Sequence, residues 1–111
     1  MQKKLKSLLP SLKEKKRYLV FELIAKNSVK NAHEELTKQL NSLLGIYDSA
    51  DAAIMPVSYN EKSNKGILKI SNKSKDKVFG AMTFIKEINK VSLIAKPIYL
   101  TGLLDKAKQK T

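Results

Sequence analysis

The chain has no cysteine and a single histidine, His33. Without thiols there is no disulfide framework and no thiolate metal site, and zinc sites of the usual kinds are excluded. A Cys–His nucleophilic pair is impossible, and a serine triad would depend on His33 alone. Near a predicted helix start, His33 reads as a surface residue. No P-loop, GxGxxG or GxSxG pattern occurs. Asp48 and Asp51 flank Ser49-Ala50 and read as a turn with acidic residues rather than a magnesium site. Long apolar runs are missing too. Runs such as Leu19-Val20-Phe21 fall far short of the ~20 residues of a membrane span, so no membrane partner is expected. The basic start, Met1 to Pro10, leads into further charges and not into an apolar signal core. These absences point to a cytoplasmic binding protein.

What the chain does have is positive charge. Its 111 residues carry 22 Lys/Arg against 10 Asp/Glu, a net +12. At this length one domain is expected, and 42% apolar residues suffice for a modest core. The charge is uneven. Residues 1–17 carry seven cations and one Glu, and residues 60–77 carry six cations and two acids. Residues 18–59, by contrast, are slightly acidic. Four cations, Lys13, Lys15, Lys16 and Arg17, fall within five residues. Tyr18 and an apolar, β-forming run follow at once. A strand at that point would fix where the cations point, so the cluster reads as placed charge for a polyanion, most simply nucleic acid. The division expected is a basic extension over 1–15 and one RNA-binding domain over 16–111.

The hydrophobic pattern predicts strands over 16–26, 52–59, 66–72 and 93–100. Helices are predicted over 30–44 and 75–90, with a short terminal helix near 103–108. Asn31 is the expected cap of the first helix, with Glu34 three residues on, and Gly45 its stop. Ser74 is the expected cap of the second. Gly80, inside that helix, either permits a close backbone approach or is simply tolerated. The order is βαββαβ, an α+β ferredoxin-like (RRM-like) sandwich with an antiparallel sheet in the order 4-1-3-2. The prolines agree: Pro56 and Pro97 fall in the second and fourth strands, the two edges, where a missing N–H is tolerated. One sheet face packs on the helices. The other carries either Tyr18, Val20, Glu22 and Ile24 or the alternate set, with Ile67, Lys69 and Ser71. That face is too apolar for water alone, so a terminal segment or a partner should cover part of it.

RNA-recognition motifs share this order and stack bases on central-strand aromatics. Here Lys65-Gly66-Ile67-Leu68-Lys69-Ile70 carries aliphatics at those places. Base reading is therefore disfavoured, and phosphate contact with a folded RNA is favoured. Structural ribosomal proteins of RRM-like fold remain an alternative class on charge and fold.

The segment Leu8-Leu9-Pro10-Ser11-Leu12-Lys13-Glu14-Lys15-Lys16-Arg17-Tyr18-Leu19-Val20-Phe21-Glu22-Leu23-Ile24 resembles the start of archaeal ribonuclease P protein component 2, with eukaryotic relatives in ribonuclease P and MRP. The family pattern appears with Lys13 in place of Arg. Tyr59-Asn60, Lys65 to Ile70, and Thr101-Gly102 extend the likeness. The resemblance implies a noncatalytic subunit of the ribonucleoprotein that removes the 5′ leader of precursor tRNA. The RNA would carry the chemistry with magnesium, and the protein itself would bind no cofactor. Partners implied are ribonuclease P RNA, precursor tRNA, protein component 3 and other subunits. Lys13, Lys15, Lys16 and Arg17 would contact phosphates, with Arg17 able to do so in bidentate fashion. Lys62, Lys65 and Lys69 would form a second patch, and Tyr18 would stack on the RNA or pack into the sheet. No catalytic and no metal-ligating residue is assigned.

Overall fold

In the computed structural model, which describes residues 15–111, the secondary structure begins at Lys16. The elements are β1 (Lys16–Ala25), α1 (Ala32–Ala52), β2 (Met55–Asn60), β3 (Lys65–Ser71), α2 (Lys75–Met82), β4 (Glu87–Ile88), β5 (Val91–Thr101) and α3 (Leu104–Gln109). A single 3-10 turn, Asn72–Ser74, joins β3 to α2. All strand pairs are antiparallel and the sheet order is β2-β3-β1-β5-β4. This is the ferredoxin-like α+β arrangement, with β5 in the expected fourth place and a two-residue strand added outside it.

Strand alternation sorts β1 between two environments. Leu19, Phe21 and Leu23 join Leu68 and Ile70 of β3 and Leu93 and Ala95 of β5 under the helices. Leu36 and Leu40 of α1 and Val78 and Met82 of α2 close that core. Tyr18 and Val20 point to the opposite face with Ile67, which settles which alternate set is which. Both prolines sit beside a register shift. Pro56 precedes the bulge at Val57 in β2, and Pro97 precedes the bulge at Ile98 in β5. The pairing of β4 reaches only Val91 and Ser92, so Pro97 lies beyond it. The missing proline N–H therefore falls where the ladder is interrupted or unpaired.

Several boundaries differ from expectation, for reasons partly local and partly tertiary. Gly45 does leave helical geometry (φ 84°, ψ 177°), but helical turns resume to Ala52, whose side chain is fully buried. The second strand starts later in consequence, at Met55. Asn31 occupies the cap position in a left-handed conformation (φ 49°) and makes no side-chain capping bond, and Ser74 makes none either. The predicted helix over 75–90 ends at Met82. Thr83 N–H and Oγ1 both bond Gly80 O, tightening the last turn, and the chain then reverses through β4. Asn89 and Lys90 both have positive φ (53° and 67°), the type I′ geometry of a two-residue hairpin between Ile88 and Val91. Gly80 allows no close backbone approach, since a Cβ there would meet nothing within 4 Å. It lines an open groove of about 440 Å³ between α1 and α2, floored by Leu43, Leu44 and Phe84. Asp48 lies in the resumed helix, not a turn, and pairs with Lys77 at 2.9 Å.

Candidate nucleic-acid interface

The sheet face away from α1 and α2 is where RNA-recognition motifs bind single strands, and here it is partly roofed. α3 lies on it through Ala107, fully buried against Val20 and Ile67, with Leu104 beside them. The bulge at Ile98 turns both Ile98 and Tyr99 toward this cluster. The end of α3 is tied to the β2–β3 connection: Asn60 Nδ2 and Ser63 Oγ donate to Thr111 O at 3.2 and 3.0 Å. Lys110 Nζ sits 5.0 Å from the Tyr99 ring centroid, a cation–π contact. With this helix seated, a base could not reach Val20 and Ile67 at the centre of the sheet. What the roof presents outward is the exposed series Lys106, Lys108 and Lys110.

The residues singled out in the sequence divide between the two faces. Lys13 lies outside the described residues. Lys15 is exposed just before β1, and its carbonyl accepts from Asn72 N at 2.8 Å, which anchors the strand's entry. By alternation Lys16 and Tyr18 belong to the roofed face and Arg17 to the opposite one. The cluster therefore straddles the sheet at one end. Arg17 Nη1 donates to Lys16 O at 3.1 Å, and the guanidinium lies beside Gly102, where a Cβ would meet it only at ordinary contact distance. Tyr18 is half-buried against the α3 cluster, the packing role. Lys69 is its cross-strand neighbour, in one row with Met55 and Thr101. Lys65 pairs with Glu22, and Glu22 pairs in turn with Lys96 of β5. Lys62 is exposed in the β2–β3 turn, its N–H held by Asn60 Oδ1 at 3.0 Å. Lys16, Lys65 and Lys69 thus share a face with the α3 lysines.

Sequence reasoning missed Lys96, Lys106, Lys108 and Lys110. The signal for the last three was present as alternating lysines around Ala107. Their relevance depends on where α3 docks, which is a tertiary fact.

An aromatic column lies on the helix-covered face of the sheet. The Phe21 ring stacks on Tyr59 (6.1 Å between centroids), and Tyr59 stacks on His33 (5.9 Å). His33 is therefore half-buried in an aromatic column and not a surface residue as expected. Gly66 lies under Phe21: a Cβ there would fall 2.6 Å from Phe21 Cζ and 2.9 Å from Ser58 O. Tyr59 OH donates to Asn64 Oδ1 at 2.9 Å, and Val29 N donates to the same oxygen at 3.3 Å. Burial, with help from Glu61, pushes the Tyr59 phenol up to about 12. Among the described residues, no three of His, Asp and Glu gather as metal ligands, and no helix is long and apolar enough to cross a membrane.

The model of the Rpp14/Pop5 family matches residues 17–111, from the second residue of β1 through α3. The chain belongs to the Rpp14/Pop5 family. Among curated relatives, a protein of Thermococcus gammatolerans named ribonuclease P protein component 2 is 34% identical over 99% of this chain and 93% of its own length. Proteins of the same name from Thermococcus kodakarensis and Methanosarcina mazei are 31% and 29% identical, over 99% and 96% of the chain and 93% and 91% of their own lengths. Membership thus takes in every element that builds the roofed face, including the α3 lysines.

Proposed function

We propose that this protein is a noncatalytic, RNA-binding subunit of ribonuclease P. In this reading it supports the catalytic RNA in removing the 5′ leader from precursor tRNA, in the cytoplasm. The observation that carries it is family membership across the whole described fold. The distribution of charge supports the same reading: lysines gather on a sheet face whose β3 positions carry Ile67 and Lys69 in place of aromatics and whose centre lies under α3. Such a surface neutralises phosphates and does not read bases. Folding a catalytic RNA crowds phosphates, and fixed lysines offset that repulsion, lowering the need for magnesium. Magnesium belongs to the RNA in this reading, and the protein binds no cofactor. Protein component 3 and the other small subunits are the proposed protein partners.

The test is reconstitution. The cognate RNA, with protein component 3, is assayed for precursor-tRNA cleavage at low magnesium with and without this protein. The expected result is faster cleavage when it is present, with the gain shrinking as magnesium is raised. An unchanged rate at every magnesium concentration would overturn the reading.

A further inference from the structure

The roof over the sheet is incomplete. α3 rests on Val20 and Ile67, but β1 and β5 run on beyond it to the cross-strand pair Ile24 and Ile94. These two are 49% and 62% exposed. They floor an open groove of about 630 Å³ that Lys26, Lys86 and Ser92 also line. Lys90 lies in the adjoining hollow, which shares Lys26 and Ser92. Single exposed apolar side chains are ordinary on protein surfaces. A paired β-branched floor with cations on its rim is a more specific arrangement, because it offers apolar contact and positive charge to the same occupant.

We infer that this groove docks an acidic protein segment bearing one large apolar side chain. The apolar group would lie on Ile24 and Ile94, and its flanking carboxylates would face Lys26, Lys86 and Lys90. Nucleic acid fits less well. Aliphatic side chains give bases no aromatic face on which to stack. Two carboxylates border the groove as well, Glu22 in the next cross-strand row and Glu87 opposite Ser92, and they confine the partner's own carboxylates to the Lys26, Lys86 and Lys90 side. A second copy of this chain fits poorly, since a +12 molecule would bring like charge against like. The inference is separate from the RNA reading and survives or fails without it.

The experiment uses the full-length, isotope-labelled chain and amide chemical-shift mapping. Three probes are titrated: a short peptide with one Phe flanked on both sides by Asp and Glu, the same peptide with Gly for Phe, and a short RNA duplex. The Phe peptide is expected to perturb amides at Ile24, Lys26, Lys86, Ser92 and Ile94. Its affinity should fall about tenfold on loss of the Phe ring, and by a similar factor in Ile94→Ser, the worth of one small apolar contact. The spectrum of that variant reports directly whether the fold is kept, and Ile24→Thr serves as the second variant. Equal binding of the two peptides would overturn the inference, as would no binding. It would also be overturned if the RNA duplex, and not the peptide, perturbed this groove.

Discussion

Gly66 shows how one residue can decide a local arrangement. Its lack of a side chain lets the Phe21 ring lie flat across β3, and that ring seats Tyr59 and, through it, His33. Gly66→Ala places a methyl group 2.6 Å from Phe21 Cζ and 2.9 Å from a backbone oxygen, so the ring and the strand must both move. The expected cost is about 1–3 kcal/mol, the range for overpacking a filled site. Chemical denaturation would measure it, together with loss of the ring-current shifts of the column. Tyr59 makes a second prediction. Its phenol titrates near 12 in the fold against the ordinary 10, so the folded state prefers the neutral form. That preference is fully present below pH 10 and is lost as pH rises through about 12. The stability difference between the native protein and Tyr59→Phe should therefore change between these limits. Below pH 10 the variant should be less stable by about 0.5–1.5 kcal/mol, the worth of the hydrogen bond to Asn64. A difference that stayed flat from pH 9 to 12 would place the phenol in water.

At the scale of elements, α3 makes the strongest claim, because it roofs the open face. It is only six residues long, and Ala107 is its one fully buried side chain. Ala107→Glu would put a carboxylate against Val20 and Ile67 and unseat the helix. The expected loss is roughly 2–4 kcal/mol, from re-exposing apolar surface on that face. A dye that binds exposed apolar surface should report the change, and an unaltered dye signal would mean that α3 contributes no cover. The elements also show what sequence patterns reveal and what they hide. Pro56 and Pro97 read as edge markers; β2 is an edge, whereas β5 has β4 outside it at Val91 and Ser92 and is open on that side only at Pro97. The β4–β5 hairpin was hidden. Ile85 and Ile88 continue the helical spacing of α2, and the reversal depends on two non-glycine residues, Asn89 and Lys90, taking positive φ. Gly45 was legible as a break but not as an interruption, since the burial of Ala52 that rewards further helix is a tertiary effect.

Across the whole molecule, the two sides of the sheet differ in charge. The helical side carries the acidic residues of α1 and the groove between α1 and α2. Opposite it, Lys65, Lys69 and Lys96 on the sheet and Lys106, Lys108 and Lys110 on α3 make a cationic surface, with Lys15, Lys16 and Arg17 at one end. The basic cluster at the start of β1 was visible as a run of letters. The larger surface was not, because β5 and α3 join it only through a bulge and the docking of one helix. Cluster and surface together should bind RNA through its phosphates, the property on which the proposed function depends. The salt dependence of RNA affinity measures this most directly, for the native protein and for a variant with Lys69, Lys106 and Lys110 changed to Ala. The variant should bind more weakly, with a log–log slope shallower by up to about 0.9 for each duplex-like phosphate no longer neutralised. An affinity and slope equal to those of the native protein would show that this face does not carry the RNA.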